Sequence, residues 1–148
     1  MEVEAWEAPA TTANVALEAN GGQATASSTY SASYPARATI NGETKGIGWG
    51  AGSDGWNDGS AGDFTDDTLT IQFNGEKRIN EIDLFTLQDN YVNPVTPTLE
   101  TTFTQFGVTS FRVDCWDSAN SQWVLLSDVT NNNKVWRRLE FAPLRTRR

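Results

Sequence analysis

Short runs in which apolar and polar residues alternate one for one recur along this chain, each closed by Gly, Asn, Asp or Pro. The three-to-four-residue spacing of an amphipathic helix is nearly absent. A period of two puts alternate side chains on opposite faces of an extended strand. The sequence therefore predicts an all-β fold. The clearest run is Thr68 to Phe73, with Leu69, Ile71 and Phe73 on one face, followed by an Asn74-Gly75 turn. Ile79 to Leu87 is apolar on both faces, as a central strand should be. Val108 to Trp116 alternates Phe111, Val113 and Cys115 against Arg112, Asp114 and Trp116, which reads Cys115 as a small buried hydrophobe. Gln122 to Leu126 and Val135 to Phe141 complete the set. Arg137 falls on the apolar side of the last run, which places it at a sheet edge or beside a carboxylate.

At 148 residues the chain suits one domain, residues 1–148. It has no His and one Cys, so internal disulfides, Cys-rich zinc sites, His metal sites and His-activated nucleophiles are excluded by inventory. The net charge of −8 opposes binding to phosphate backbones, so no nucleic-acid partner is expected. Six of the eleven cations (Lys134, Arg137, Arg138, Arg145, Arg147 and Arg148) lie in the last fifteen residues and read as a solvated strand and end. No apolar run is long enough to insert in a membrane. The acidic start, Met1 to Trp6, lacks the features of a secretory signal, so an export address would lie outside this sequence.

Two stretches without strand signals, Pro35 to Asp67 and Gln88 to Phe106, are long enough to expect function in them. Sugar rings have apolar C–H faces and polar rims, so an exposed aromatic ring beside amide, carboxylate or guanidinium groups is the chemistry that holds them. Trp56-Asn57-Asp58 in the first stretch and Gln88-Asp89-Asn90-Tyr91 in the second offer that combination. Trp56, with no apolar neighbour in sequence, reads as the exposed platform. Trp49 reads as a lid on the core, and Trp6, Trp116, Trp123 and Trp136, within strand-like runs, as structural. Asn131-Asn132-Asn133 reads as a hairpin turn, and Asp54, Asp58, Asp63, Asp66 and Asp67 as loop and turn chemistry.

Ala38-Thr39-Ile40-Asn41-Gly42-Glu43, followed by Gly46 and Trp49, resembles the calcium loop of the discoidin family. That family, the coagulation factor V/VIII type C domains, overlaps the family 32 carbohydrate-binding modules. Asn14-Val15-Ala16-Leu17 before a Ser/Thr-rich segment ending at Tyr30, and Ile79-Asn80-Glu81-Ile82-Asp83-Leu84, are similar to other motifs of the family. The resemblance implies an antiparallel β-sandwich, a galactose-binding-like jelly roll. It implies a calcium ion held by the carbonyls of Ala38, Glu43 and Ile47, the side chain of Asn41, and Glu2. Asn41 stands where the family more often has Asp, and Ile47 where Thr is common.

Leu144 to Arg148 resembles the family's penultimate strand, whereas Glu2-Val3-Glu4-Ala5-Trp6 resembles its last one, so residues 2–7 are expected to close the sandwich from the front. If that arrangement leaves a strand position empty, the chain should form homo-oligomers by strand addition. The function implied is a non-catalytic glycan-binding, lectin-like module with structural calcium, in a larger extracellular bacterial protein, meeting cell-surface carbohydrate. A protein-adhesion or self-assembly module without sugar binding is the alternative. A two-carboxylate glycosidase is the third reading; a small jelly roll offers it no deep cleft, and no acid lies in an apolar run that would raise its pKa.

Overall fold

A computed structural model describes residues 1–8, 13–52, 55–60, 62 and 67–148. Seven strands are described: β1 (Glu2–Glu7), β2 (Gln23–Ala26), β3 (Leu69–Gln72), β4 (Lys77–Phe85), β5 (Phe111–Asp117), β6 (Gln122–Val129) and β7 (Trp136–Thr146). The only described helical segments are single 3-10 turns at Glu18–Asn20 and Ala36–Thr39. All pairings are antiparallel: β1-β4-β7 form one sheet, and β2-β3 and β5-β6 form two further pairs.

β4 lies between β1 and β7, which accounts for its apolar residues on both faces. Its outward Asp83 is nevertheless only 1% exposed. The Trp6 and Trp136 indoles donate to its carboxylate at 3.2 and 2.8 Å, and Arg138 donates to both oxygens at 3.1 and 3.3 Å. A buried carboxylate is tolerable when its lone pairs are taken in this way.

β7 is longer than the alternation predicted and changes partners along its length. Ile79 faces Leu144 while Glu81 faces Glu140, so residues 141–143, which include Pro143, bulge out of the ladder. Beyond the bulge, the Arg147 carbonyl accepts from Phe73 N (2.8 Å), the Arg148 carbonyl from Trp116 N (2.9 Å), and the Arg145 carbonyl from Ser118 N (2.9 Å). The end of β7 thereby joins β3 to β5. Ala5, Val15, Ala16, Ile40, Phe73, Ile79, Ile82 and Cys115 form the core, with Val3, Ala24, Ile71, Val113, Leu126, Leu139, Phe141 and Leu144 packed against it. Every described strand contributes to that cluster or packs against it, as an antiparallel β-sandwich requires. Arg137 lies on β7, an edge strand of the three-stranded sheet, so the edge placement holds.

The N-terminal strand closes the first sheet as expected, with Glu2 opposite Phe85 and Trp6 opposite Glu81. Its outer edge is not open. Val15 N donates to the Ala5 carbonyl (2.7 Å), Trp6 bridges Asn14, and Asn14 Oδ1 accepts from both Ala5 N and Ala16 N at 3.1 Å. Residues 13–16 thus occupy the outer edge of β1 along Ala5–Glu7, and the expected homo-oligomerisation by strand addition finds no support.

Among the described residues no helix is long and apolar enough to cross a membrane.

Candidate functional site

Strand direction gathers both long loops at one end. β4 ends at Phe85, β1 begins at Glu2 opposite it, and β2 ends at Ala26 opposite Leu69, so the chain leaves β2 and β4 at the same pole.

In the first loop region Trp56 is half-buried, and its indole donates to the Ser28 carbonyl at 2.8 Å. Tyr30 N in turn donates to the Asn57 carbonyl (2.9 Å), and Asp58 Oδ1 caps Ser60 N (2.9 Å). Trp56, Asn57 and Asp58 thus fasten residues 27–30 to residues 56–60, and the fully open platform expected of Trp56 is corrected to a half-covered ring. The freer ring here is Tyr30, 62% exposed. It meets Tyr34 edge-on at 5.8 Å, and Tyr34 meets the half-buried Trp49 at 5.0 Å. Asp67 Oδ1 accepts from the hydroxyls of Ser27, Ser28 and Ser60, which is loop chemistry as expected. Asp54, Asp63 and Asp66 lie outside the described residues.

In the second loop, Gln88 is buried. Its amide donates to the carbonyls of Lys45 (3.1 Å) and Val95 (2.7 Å), which ties this loop to the first. Asp89 accepts from Thr104 N, Thr104 Oγ1 and Gln105 N at 2.8–3.1 Å. Desolvation works against this carboxylate, but the hydrogen bonds from Gln105 and Thr104 outweigh it and hold its pKa below the usual range. Asn90 closes a turn with Asn93. Of the four predicted residues, then, Gln88, Asp89 and Asn90 shape the loop, and Tyr91 is presented, 40% exposed, edge-on to Phe106 at 5.4 Å. Phe106 itself is 47% exposed, and Val92, Val95 and Leu99 are exposed beside it. Sequence reasoning missed Phe106 and Tyr30 as candidate rings; Tyr30 entered only as the end of a family-like segment and Phe106 only as the end of the second stretch.

Between these regions lies the 38–47 loop. Glu2 Oε1 accepts from Gly42 N at 2.8 Å, while Oε2 is buried without a hydrogen-bond partner. Burial drives the Glu2 carboxyl up to about 8, the Gly42 N–H opposing it and nearby Glu4 adding to it. This corrects the expectation that no acid has a raised pKa: Glu2, Glu4 and Glu81 are all shifted upward, each chiefly by desolvation. Alternation in β1 gave no sign of it, because the apolar cover comes from other elements.

Glu43 turns its carboxylate onto the backbone N–H groups of Lys45, Gly46 and Ile47 at 2.7–3.1 Å. Asn41 Oδ1 accepts from Glu43 N (2.8 Å), and the Ala38 carbonyl accepts from Gly55 N (3.3 Å). Glu2, Glu43, Thr44 and Gly46 line one narrow cleft; Ala38 and Ile47 are not among its walls. No cluster of three His, Cys, Asp or Glu occurs among the described residues, so a cation here would rely on backbone carbonyls beside one buried carboxylate.

No protein-family model matches the sequence, and a search of curated proteins finds no match. The structure is similar to that of a family 32 carbohydrate-binding module, from NanJ of C. perfringens, solved in complex with galactose. The TM-score is 0.58 at 13% sequence identity, over 98% of this chain and 82% of that one. At this identity the likeness is one of fold: the chain has an antiparallel β-sandwich like that of this module.

Proposed function

We propose that this domain is a non-catalytic glycan-binding module of a larger extracellular bacterial protein, with a structural calcium ion at the 38–47 loop. The observation that carries the glycan reading is the pair of part-exposed rings, Tyr91 and Phe106, held at the loop pole by the Asp89 and Gln88 anchors. Rings fixed before binding lose little freedom on contact, which a shallow, wet sugar site needs. Trp56, Asn57 and Asp58 frame the neighbouring region, where Tyr30 supplies a second open ring. The sandwich it shares with a galactose-complexed module supports the same reading.

The calcium reading rests on Glu2 Oε2. A buried carboxylate oxygen without a partner is costly, and a hard cation with oxygen ligands, about 6–8 for calcium, is the partner that best relieves it. Glu2, the Asn41 side chain and the carbonyls of Ala38, Glu43 and Ile47 are the proposed ligands. Bound calcium would neutralise the Glu2 carboxylate and tie β1 to the loop. A glycosidase is disfavoured because Glu43, which lines the same cleft as Glu2, turns its carboxylate onto its own loop, and the cleft is too narrow for a sugar ring.

A glycan array with the wild type, Tyr91→Ala and Trp56→Ala tests the reading. Signal on galactose-type glycans that Tyr91→Ala removes is the expected result; a folded, calcium-loaded protein silent on every sugar overturns it. The alternative, protein adhesion, is favoured by the exposed Val92, Val95 and Leu99 in the same loop as Tyr91, and a silent array would leave that reading in place.

A further inference from the structure

The opposite pole carries a second aromatic surface. Trp116 on β5 and Trp123 on β6 face each other across the ladder and meet edge-on at 5.7 Å. The Arg148 guanidinium sits over both rings, at 5.2 and 5.1 Å from their centres. Its backbone is fixed by Trp116 N and by Thr146 Oγ1, which donate to the Arg148 carbonyl at 2.9 and 2.6 Å. Despite this packing, Trp123 remains 50% exposed and Leu125 beside it 49%. Arg112 and Asp114, paired at 2.8 Å, stand on the same outward face.

A structural pair would need no such exposure, and two features say what would cover it. First, Arg148 has no carboxylate within ion-pair distance among the described residues, although the protein carries a net charge of −8. An unpaired guanidinium held on an indole is a ready seat for a carboxylate brought by a ligand. Second, both rings lie on the outward face of the β5-β6 ladder, a strand surface, whereas a docked peptide helix would require a groove. A rigid indole with a cation beside it matches a ring that has one apolar C–H face and one anionic substituent.

We propose that Trp123, Trp116 and Arg148 form a second binding surface, for acidic pyranose residues such as uronic or sialic acids. The sugar ring stacks on Trp123 and its carboxylate pairs with Arg148. This surface is independent of the loop pole and stands whether or not that pole binds galactosides.

The test is a titration of the full chain, followed through backbone and tryptophan indole N–H resonances, with trigalacturonate, sialyllactose, lactose and hexaglutamate in turn. The acidic sugars should shift the Trp116 and Trp123 indoles more than lactose does, and added salt should weaken the effect. Trp123→Ala should reduce affinity about tenfold, with Trp123→Tyr recovering part of it. Arg148→Gln should abolish the preference for acidic over neutral sugar. The proposal is overturned if neither acidic sugar moves these indoles at millimolar concentration, if a folded Trp123→Ala binds as the wild type does, or if hexaglutamate moves them and the sugars do not. Shifts confined to residues 88–106 would retain the loop site and remove this one; shifts confined to residues 112–128 would do the reverse.

Discussion

Glu2 Oε1 accepts a hydrogen bond from Gly42 N at 2.8 Å, joining the first strand to a loop forty residues away, while the second oxygen of the same carboxylate is sealed in without a partner. The fold therefore holds a buried, unsatisfied carboxylate oxygen at the point where β1 closes the sandwich.

Glu2→Gln should separate the cost of that carboxylate from its use. The folded pKa, about 8, lies above the ordinary 4.5, so the folded state holds the proton more tightly than the unfolded chain does. The stability this gives is fully present below about pH 4.5 and is lost as pH rises through about 8. In chelator, Glu2→Gln should match the wild type near pH 4.5 and exceed it by about 5 kcal/mol above pH 8. In calcium the order should reverse, because only the wild type gains from the ion. Melting curves across pH, with and without calcium, measure both; equal calcium stabilisation of the two proteins would remove Glu2 from the proposed ligands.

Asp83 binds two indole N–H groups and one guanidinium. Asp83→Ala should destabilise the protein by about 3 kcal/mol, since it leaves Arg138 and both indoles without their acceptor. Asp83→Asn, which keeps one carbonyl oxygen, should lose roughly half as much by the same reasoning. Urea unfolding midpoints at unchanged slope would show it; a change within error of zero would mean that water replaces the carboxylate at no cost.

The Cys115 thiol is 3% exposed, and burial, helped by the Asp114 charge, pushes its pKa up to about 12. At pH 8 it should resist alkylation in the native protein and react at once in denaturant, because the thiolate is the reacting species. Labelling followed by mass spectrometry decides it, and rapid native labelling would mean that β5 opens locally.

How far the sequence could be read follows from where each signal lies. β4 and β5 were legible because alternation over several residues is imposed by local geometry, and the same alternation placed Cys115 inside. β2 was missed, since Gln23-Ala24-Thr25-Ala26 is short and carries little apolar contrast. β7 runs past Phe141, where the readable alternation ended: Pro143 occupies a bulge and pairing resumes at Leu144. At the loop pole, the residue types were visible but their partners were not. Asp89 and Gln88 looked like ligand groups, and only the folded chain brings Thr104, Lys45 and Val95 to them. Glu2 was placed at the loop by resemblance, but its isolation from water depends on contacts from several elements.

Asp89 provides the last test, one in which loop order and binding must change together. Its carboxylate draws Thr104 and Gln105 toward the base of the loop that presents Tyr91 and Phe106. The folded pKa is depressed, so the stabilisation is present above the unfolded value near pH 4 and is lost as pH falls through the lower folded value. Asp89→Ala should lower the melting temperature only slightly, because the half-buried anchor is remote from the core, while speeding amide exchange at Thr104 and Gln105. Glycan affinity should fall with it, since rings no longer fixed before contact must be ordered on binding. A variant whose exchange rises but whose sugar binding is untouched would show that the Tyr91 and Phe106 rings are not the recognising surface.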